Sequence, residues 1–457
     1  MTRAELTALY LDEIKRHNTP AAELIRSQPE SVGLQSFYGG RYLARPLFLG
    51  HEEKEQLYND LANVRSALVS LPDRLYGGDL AAFARAVGMT PVQVSAILRS
   101  RGAQVTQQTR MDLYADETGF KLLEFNMGSA IGGIDNSDMC RALLEHPVLA
   151  EFAQTHRLDY VDTMRAQVDN MFVESGIAPG SNPVVAQTDW PDSFESLEPY
   201  MRHFMERFQQ MGVDGHACHI GQLDVRDGGV WLGDRKIDVI HRLFMLDDLK
   251  SPDGPALMDP ILDAAARGEV KIFTPLDSEM FASKAALAIL SDEENRSVLD
   301  PEQLASLDRI LPWTRMVRSG PVTLEDGSKV ELLDYVLTHQ SDLALKPTLL
   351  HSGEGVLLGW REDTSAELWE ERVRAALDGP WVIQRRIRPV PELFPVDGGD
   401  PVPWIVNWGV FTVVNGYGGV FARAATVESN LEVINLFAGA YAGCCLHVLP
   451  DSESNAD

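Results

Sequence analysis

Cysteine and long apolar runs are both scarce in this sequence. Four cysteines occur among 457 residues and none belongs to a Cys-x-x-Cys pair, which argues against a disulfide scaffold. No run approaches the roughly 18 consecutive apolar residues that a membrane-spanning helix needs. Residues 1–17 are amphipathic and lack the apolar centre of a signal peptide. We therefore expect a cytoplasmic protein with no membrane partner.

Positive charge is also in short supply. The chain has 40 lysines and arginines against 67 aspartates and glutamates, which gives a net charge of −27. This balance opposes nonspecific binding of nucleic acids, which requires basic surfaces. Residues 81–98 have the rhythm of a helix-turn-helix, but its second helix carries Arg99 alone as a basic residue. We therefore expect no nucleic-acid partner.

The order of predicted elements indicates an α/β (α+β) protein with several subdomains. Hydrophobic residues make up 45% of the chain, enough for a substantial core. We predict that residues 1–105 are mainly helical, that 106–180 hold a hairpin, a loop and helices, and that 181–270 and 271–448 alternate strands with helices. Residues 449–457 are polar and acidic, and we predict a disordered tail.

Local patterns set the bounds of several elements. Hydrophobic periodicity predicts helices at Glu52–Val69 and Leu80–Val87, and a third that begins at Pro91 after the N-cap residue Thr90. The alternating stretch Ile237–Phe244 is predicted to form one strand.

Residues 110–126 are the most informative stretch. Met111–Tyr114 and Leu122–Phe125 have strand-like composition, and Asp116–Gly119 supplies the turn of a β-hairpin. If the turn is centred on Thr118, each residue faces a predictable partner on the other strand. Facing residues and every second residue along a strand project from the same side of the sheet.

This register places Asp112 opposite Glu124 and Arg110 opposite Asn126. Two facing carboxylates repel each other unless a cation lies between them. Two carboxylates and an amide are oxygen ligands of the kind that Mg²⁺ prefers. A solvated hairpin face with incidental acidic residues is an equally weighted alternative.

Two lysines lie in sequence contexts that are typical of anion-binding residues. Lys346 follows a buried strand and precedes a loop with Gly353 and Gly355, a pattern typical of a phosphate clamp. An ordinary hairpin with a surface-directed lysine is the alternative. Lys284 stands at the start of a helix predicted over Ser283–Leu290, where a cation opposes the helix dipole and calls for an anion. A plain surface lysine is the alternative there.

Three polar residues interrupt apolar stretches near the end of the chain. Gln384 ends the strand Trp381–Gln384, which suits either a nucleobase hinge or a core strand. Arg423 alternates with apolar neighbours, and a buried arginine needs an anionic partner. Asn435 lies in an apolar run, where its amide must form hydrogen bonds.

Taken in order, these segments resemble the circularly permuted ATP-grasp ligases, the group related to glutathionylspermidine synthetase. The pairs Arg110-x-Asp112 and Glu124-x-Asn126 are similar to the hairpin motifs of that family. The lysines, the hinge glutamine, and the last-strand arginine and asparagine follow in the same order, and the resemblance extends from about residue 35 to 448. Two departures stand out: the loop after Lys346 has fewer glycines than is usual, and Arg385 replaces an acidic residue.

The resemblance implies a circularly permuted ATP-grasp fold with a helical N-terminal region and a pre-ATP-grasp-like subdomain. It also implies an ATP-dependent carboxylate–amine ligase that joins an amino acid or short peptide to a small amine through an acyl phosphate, with ATP and Mg²⁺. The implied roles are as follows: Asp112, Glu124 and Asn126 bind metal; Lys284, Lys346, Gln384 and Asn435 bind ATP; Arg110 and Arg423 are catalytic; and Ser129 and Arg242 are weaker candidates for substrate binding.

Alternatives remain for one residue and for the function. Arg242 is equally well explained by a structural ion pair near Asp238. Two other functions are a ligase that loads an amino acid onto a carrier protein, which would then be a partner, and a catalytically silent nucleotide-binding scaffold. The substrates and the oligomeric state are not predicted.

Overall fold

The computed structural model describes residues 1–21, 38–102, 104–350, 353–429, 431 and 433–450. Most of the tail that we predicted to be disordered therefore lies outside the described residues. The helices are α1 Arg3–His17, α2 His51–Tyr76, α3 Leu80–Ala86, α4 Pro91–Ser100, α5 Asn136–Leu144, α6 Pro147–Thr155, α7 Thr163–Ser175, α8 Pro191–Gln209, α9 Gly254–Ala266, α10 Ser278–Ala282, α11 Lys284–Ser291, α12 Pro301–Ile310, α13 Leu332–Thr338 and α14 Ala366–Ala375.

The strands alternate with these helices along much of the chain, which confirms a mixed α/β protein. They are β1 Leu47–Leu49, β2 Thr109–Asp116, β3 Gly119–Met127, β4 Leu158–Asp159, β5 Val184–Asp189, β6 Asp214–His219, β7 Leu223–Arg226, β8 Gly229–Leu232, β9 Arg235–Ile237, β10 Val239–Arg242, β11 Lys271–Phe273, β12 Thr314–Met316, β13 Pro321–Thr323, β14 Lys329–Glu331, β15 Leu343–Pro347, β16 Leu357–Leu358, β17 Trp381–Arg385, β18 Glu392–Phe394, β19 Val402–Val413, β20 Gly416–Thr426, β21 Tyr441–Gly443 and β22 Cys445–Val448.

Two sheets position the residues of interest. A six-stranded sheet has the order β21-β20-β19-β2-β3, with β18 also paired to β19. A four-stranded sheet has the order β12-β17-β15-β16. The first joins a hairpin from the first third of the chain to strands from its last eighth. A separate parallel sheet, β11-β10-β5-β6, lies in the middle of the chain.

The hairpin β2–β3 has the predicted pairing at its important positions. Asp112 faces Glu124 and Arg110 faces Asn126. The predicted turn centre was wrong, because Asp116 pairs with Gly119 and the turn is therefore tighter than one centred on Thr118. A regular hairpin from this turn would place Asp112 opposite Leu123.

A β-bulge restores the register. The pairing shifts by one residue between Asp112 and Leu113, so that Leu123 is the extra residue of β3. Both Leu123 and Glu124 consequently line the same cleft. The bulge therefore aims the Glu124 carboxylate toward the Asp112 side chain.

The prediction of a single strand over Ile237–Phe244 was wrong. The chain divides at Asp238: β9 joins the antiparallel sheet of β7 and β8, whereas β10 joins the parallel sheet. The Asp238 carboxylate accepts a hydrogen bond from the backbone N–H of Val184 at 2.8 Å, which fixes the break between the two strands. Alternation of side chains continues across the break, so sequence periodicity did not reveal it.

The main core crosses the predicted segment boundaries. Leu61 of the N-terminal helices, Phe125 of the hairpin, Ile240 of the parallel sheet and Trp408 of β19 belong to one buried cluster. The four-stranded sheet instead packs its own cluster around Trp369. This smaller unit thus faces the rest of the molecule across an open cleft.

Several N-terminal features follow from the local sequence. Thr90 caps α4, and the Gln93 side chain accepts a hydrogen bond from the backbone N–H of Thr90 in return. Arg99, the basic residue of the helix-turn-helix pattern, pairs with Asp259 and with Asp263, the latter at 2.7 Å. Among the helices of the described residues, none combines the length and apolar character needed to cross a membrane.

Candidate functional site

The main cleft lies between the six-stranded sheet and the four-stranded sheet. It contains about 870 Å³ of empty space, open solvent included. Seven predicted site residues line it: Asp112, Glu124, Lys284, Lys346, Gln384, Arg423 and Asn435. The structure therefore brings together residues that are more than 300 positions apart in the sequence.

Glu124 and Lys284 form an ion pair that closes one side of the cleft. The Lys284 ammonium donates to Glu124 Oε1 at 2.7 Å and to the carbonyl oxygen of Leu350 at 2.8 Å. Ser283 caps α11 and its hydroxyl donates to the carbonyl oxygen of Val87, which fixes the start of the helix. The anion expected to compensate Lys284 is thus Glu124.

Asp112 is held by two arginines. Arg423 donates to Asp112 Oδ1 at 2.6 Å, and Arg110 donates to the same oxygen at 3.0 Å. Burial alone would raise the pKa of Asp112, but the charges of Arg110 and Arg423 outweigh it and lower the pKa. The anionic partner expected for buried Arg423 is therefore Asp112, and the facing acids Asp112 and Glu124 are neutralised by separate side chains.

Asn407 supports Arg423 from the neighbouring strand. The two residues face each other on β19 and β20, and the guanidinium donates to Asn407 Oδ1 at 2.8 Å. Asn407 is 7% exposed and lines the cleft. Within the described part of the chain no acceptor is assigned to its amide nitrogen, which is a candidate donor to a ligand in the cleft.

Lys346 projects from the four-stranded sheet into the cleft. Its ammonium donates to Gln384 Oε1 at 2.5 Å, and the Gln384 amide nitrogen donates to the hydroxyl of Thr314 at 3.2 Å. Burial lowers the pKa of Lys346 to about 8, with a further contribution from the charge of Lys284 and opposition from Glu124. Because the Gln384 amide is neutral, it does not cancel the positive charge of Lys346, which can still attract an anion.

The lining of the cleft is basic although the protein is acidic. Among the described residues, five lysines and arginines line it against two carboxylates, whereas the whole chain has a net charge of −27. The other two basic residues are Arg385 and Arg386. This inversion of charge favours a polyanionic ligand.

Apolar residues line part of the cleft on the side of the four-stranded sheet, which we name its apolar end. Ala344, Leu358 and Ile387 line it, and the guanidinium of Arg386 lies 4.5 Å from the ring centroid of Trp360. No carboxylate among the described residues pairs with Arg386. Apolar residues next to cationic side chains suit a ligand with a flat ring and an anionic chain.

Arg385 has a structural role. It forms a two-pronged ion pair with Glu325, both contacts at 2.8 Å, and donates to the hydroxyl of Tyr335 at 2.9 Å. An acidic residue at this position would lack these partners. These contacts tie the end of β17 to Glu325 and to Tyr335 of α13.

Asn435 lines the cleft from a loop, not from a strand. It lies between β20 and β21, and its Oδ1 accepts a hydrogen bond from the backbone N–H of Ala438 at 2.7 Å. The expectation of a last-strand asparagine was therefore wrong in its location. Arg423, in contrast, lies on β20 as expected.

The loop after Lys346 reaches the segment that carries Asn435. Gly353 has φ +82°, and a Cβ there would stand 2.9 Å from methyl carbons of Val433. Glycine thus permits this close approach at the mouth of the cleft. His351 and Ser352, which belong to the same predicted loop, lie outside the described residues.

Ser129 and Arg242 lie outside the cleft lining and have structural contacts. The Ser129 hydroxyl donates to the carbonyl oxygen of Arg242 at 2.7 Å and accepts from the backbone N–H of Thr274 at 2.9 Å. Arg242 is 1% exposed and pairs with Glu279, so the partner expected near Asp238 was wrong. These contacts tie the loop after β3 to the parallel sheet.

Of the three predicted metal ligands, Asp112 and Glu124 line the cleft, whereas Asn126 faces Arg110 outside its lining. Asp112 and Glu124 supply carboxylate oxygens, and the Asn126 amide nitrogen donates to the carbonyl oxygen of Arg110 at 3.1 Å, which leaves Asn126 Oδ1 as an acceptor. In the described part of the chain, no group of three or more His, Cys, Asp or Glu side chains forms a metal cluster. A cation here would need oxygen atoms from a ligand or water as well, as Mg²⁺ commonly does.

Sequence reasoning missed several residues of the cleft. Asn407, Trp360 and Tyr114 all line it. Asn407 carried a signal, because an amide inside the apolar stretch Val402–Val413 resembles the signals used for Gln384 and Asn435. Trp360 and Tyr114 carried none, since an aromatic residue beside apolar neighbours is an ordinary core residue.

Comparisons with known proteins identify the fold and no family. No protein-family model matches the chain, and no curated protein matches it in sequence. A glutathione synthetase-like effector from Globodera pallida is similar in structure, with a TM-score of 0.55, 12% identity and 90% of each chain covered. A candidate gamma-glutamylcysteine synthetase from Methylobacillus flagellatus has a TM-score of 0.41 at 14% identity, with 83% of this chain and 86% of that chain covered. The second similarity carries no argument, whereas the first places this chain in the same fold as the glutathione synthetase-like effector.

Proposed function

We propose that this protein is an ATP-dependent carboxylate–amine ligase of the circularly permuted ATP-grasp type. The observation that carries the proposal is the single cleft lining shared by Asp112, Glu124, Lys284, Lys346 and Arg423. These side chains are the ones that the resemblance to glutathionylspermidine synthetase-related ligases singled out. The fold shared with the glutathione synthetase-like effector supports the same conclusion.

The permuted order is supported by the composition of the six-stranded sheet. The hairpin β2–β3 pairs directly with β19, so the proposed metal ligands and Arg423 meet although they lie far apart in the chain. In such an arrangement the last strands and the early hairpin form one wall of the cleft. The four-stranded sheet forms the opposite wall and carries Lys346 and Gln384.

The two walls divide the binding of ATP between them. The apolar end beside Trp360 and Arg386 receives the base, next to the amide of Gln384. Lys284 and Lys346 hold phosphate oxygens as point charges. Asp112, Glu124 and Asn126 hold Mg²⁺, which neutralises phosphate charge.

The arginines serve the transfer of the phosphoryl group. ATP supplies the γ-phosphoryl group that converts the carboxylate of the substrate into an acyl phosphate, from which an amine displaces phosphate. Arg110 and Arg423 place positive charge where the transferred group and the tetrahedral oxygen become negative. Asp112 and Asn407 fix the Arg423 guanidinium in position before reaction.

The second functional candidate, loading of an amino acid onto a carrier protein, requires a docking surface for that protein. The acidic net charge of −27 would repel an acidic carrier, so the small-amine ligase is favoured. A silent scaffold would have no need for a cleft that brings Asp112 and Glu124 together with Lys284, Lys346 and Arg423.

A screen for phosphate release tests the proposal. Purified protein is incubated with ATP and Mg²⁺ and with amino acids or short peptides paired with small amines. At least one pair is expected to release ADP and phosphate in equal amounts, with the signal lost in Lys346→Met and on removal of Mg²⁺. Release of AMP and diphosphate, or turnover that Lys346→Met leaves unchanged, would refute the proposed chemistry.

A further inference from the structure

Lys284 occupies one oxygen of the proposed metal ligand Glu124. The two side chains are 8% and 21% exposed, and their contact is 2.7 Å long. A second bond to the carbonyl oxygen of Leu350 orients the ammonium toward Glu124. The pair is therefore a largely buried ion pair with a fixed orientation, unlike a solvent-exposed ion pair on the surface.

A divalent cation and this ammonium compete for the same carboxylate. A cation at Glu124 would place two positive charges next to each other in a partly desolvated site, where charges are poorly screened. Lys284 would have to withdraw first. The other carboxylate in the described lining is Asp112, which Arg110 and Arg423 already engage, so withdrawal of Lys284 is unfavourable without an added anion.

A polyphosphate is the anion that would release the pair. Lys284 and Lys346 line the same cleft, and the two ammonium groups are close enough for the charge of one to lower the pKa of the other. Phosphate oxygens between them would accept from both lysines. Glu124 Oε1, which Lys284 engages, would then turn to the cation that accompanies the phosphates.

We propose that Lys284 couples metal binding to nucleotide binding. Its ion pair with Glu124 keeps divalent cations out of the nucleotide-free cleft. When phosphate binds, the Lys284 side chain moves and donates to a phosphate oxygen, which opens the metal site. The identity of the anion rests on the proposed function, whereas the exclusion of the metal rests on the Lys284–Glu124 contact. Metal and nucleotide consequently bind with positive cooperativity.

Binding of Mn²⁺ to the nucleotide-free protein, measured by the electron paramagnetic resonance signal of the free ion, tests this coupling. Lys284→Met is expected to bind one Mn²⁺ at least about tenfold more tightly than the wild-type protein. The double variant Lys284→Met/Glu124→Gln should lose this gain. It also corrects for weak sites elsewhere on an acidic protein.

Lys346→Met is the matched control. It removes the same charge from the same cleft but leaves the Lys284–Glu124 contact in place, so its gain in Mn²⁺ affinity should be much smaller. Equal gains in the two lysine variants would overturn the proposal in favour of a general charge effect. An unchanged affinity in Lys284→Met would overturn it outright.

A single variant keeps the test independent of whether Lys284→Met folds. Glu124→Gln should leave the weak Mn²⁺ affinity of the nucleotide-free protein unchanged, because Lys284 already blocks Glu124. A tenfold loss of affinity in Glu124→Gln would contradict the proposal. None of these measurements uses ATP, so failure of the ligase screen leaves them valid, and their failure leaves the ligase activity open to its own test.

Discussion

Lys346 should make nucleotide binding depend on pH in a range where ordinary lysines do not titrate. Its pKa is about 8, lowered by burial and by Lys284. Since the folded protein holds this pKa below the usual value, the ammonium loses its proton as the pH rises through 8. A phosphate ligand favours the charged form, so its binding should take up a proton at this pH.

The expected magnitude follows from the protonated fraction. That fraction falls from about nine-tenths near pH 7 to about one-tenth near pH 9 for a pKa of about 8. If ATP binds only when Lys346 is protonated, the Kd for ATP should rise by about tenfold over this interval. Titration calorimetry in buffers with different ionisation enthalpies would measure both the Kd and the proton uptake.

Lys346→Arg is the control for this prediction. A guanidinium keeps its charge throughout the interval, so the variant should bind ATP with nearly constant affinity between about pH 7 and 9. A wild-type Kd that does not change over the interval would refute the reasoning. An equal rise in Lys346→Arg would assign the effect to another group.

Three further substitutions give separate readouts. Asn407→Leu should lower kcat by about 10- to 100-fold with a smaller change in the KM for ATP, because it removes a hydrogen bond to charged Arg423; an unchanged kcat in steady-state assays would contradict this role. Trp360→Ala should raise the Kd for ATP with little change in kcat, since it removes the ring at the apolar end; equal affinity by calorimetry would contradict the placement of the base. Arg242→Ala should cost about 3–5 kcal/mol of unfolding free energy in urea titrations, because Glu279 is left buried without its cation; a cost below about 1 kcal/mol would contradict the structural assignment.

The hairpin illustrates what the sequence alone could predict. Alternation and turn composition located both strands, and the pairing of Asp112 with Glu124 is as expected. The tight turn and the bulge at Leu123 were not visible, because a bulge needs no special residue type. The two differences compensate each other, so the correct pairing followed from an incorrect turn.

The ion-pair partners of the charged residues could not be predicted from the neighbouring sequence. Arg423 was expected to have an anionic partner, but nothing near it in the sequence points to Asp112, which lies on a strand two places away in the sheet. The same holds for Arg242 and Glu279. Such pairs are set by the packing of distant elements, whereas a periodic pattern reports only on one element at a time.

The position of Asn435 shows a different limit. Its apolar neighbours suggested a strand, and the structure places the segment in a loop whose residue Ile434 packs in a small buried cluster with Ala425 and Ala440. Burial of such residues needs no strand. An apolar run therefore predicted burial correctly and secondary structure incorrectly.

Transfer of an oxygen isotope from the substrate to phosphate would show whether the carboxylate is activated as an acyl phosphate. A carboxylate substrate found in the phosphate-release screen is labelled with oxygen-18 in its carboxylate, and the inorganic phosphate released in the presence of the amine is examined by mass spectrometry. The account predicts one labelled oxygen in each phosphate, because a carboxylate oxygen attacks the γ-phosphorus and departs with it. Phosphate without label, or label in AMP, would contradict activation of the carboxylate as an acyl phosphate.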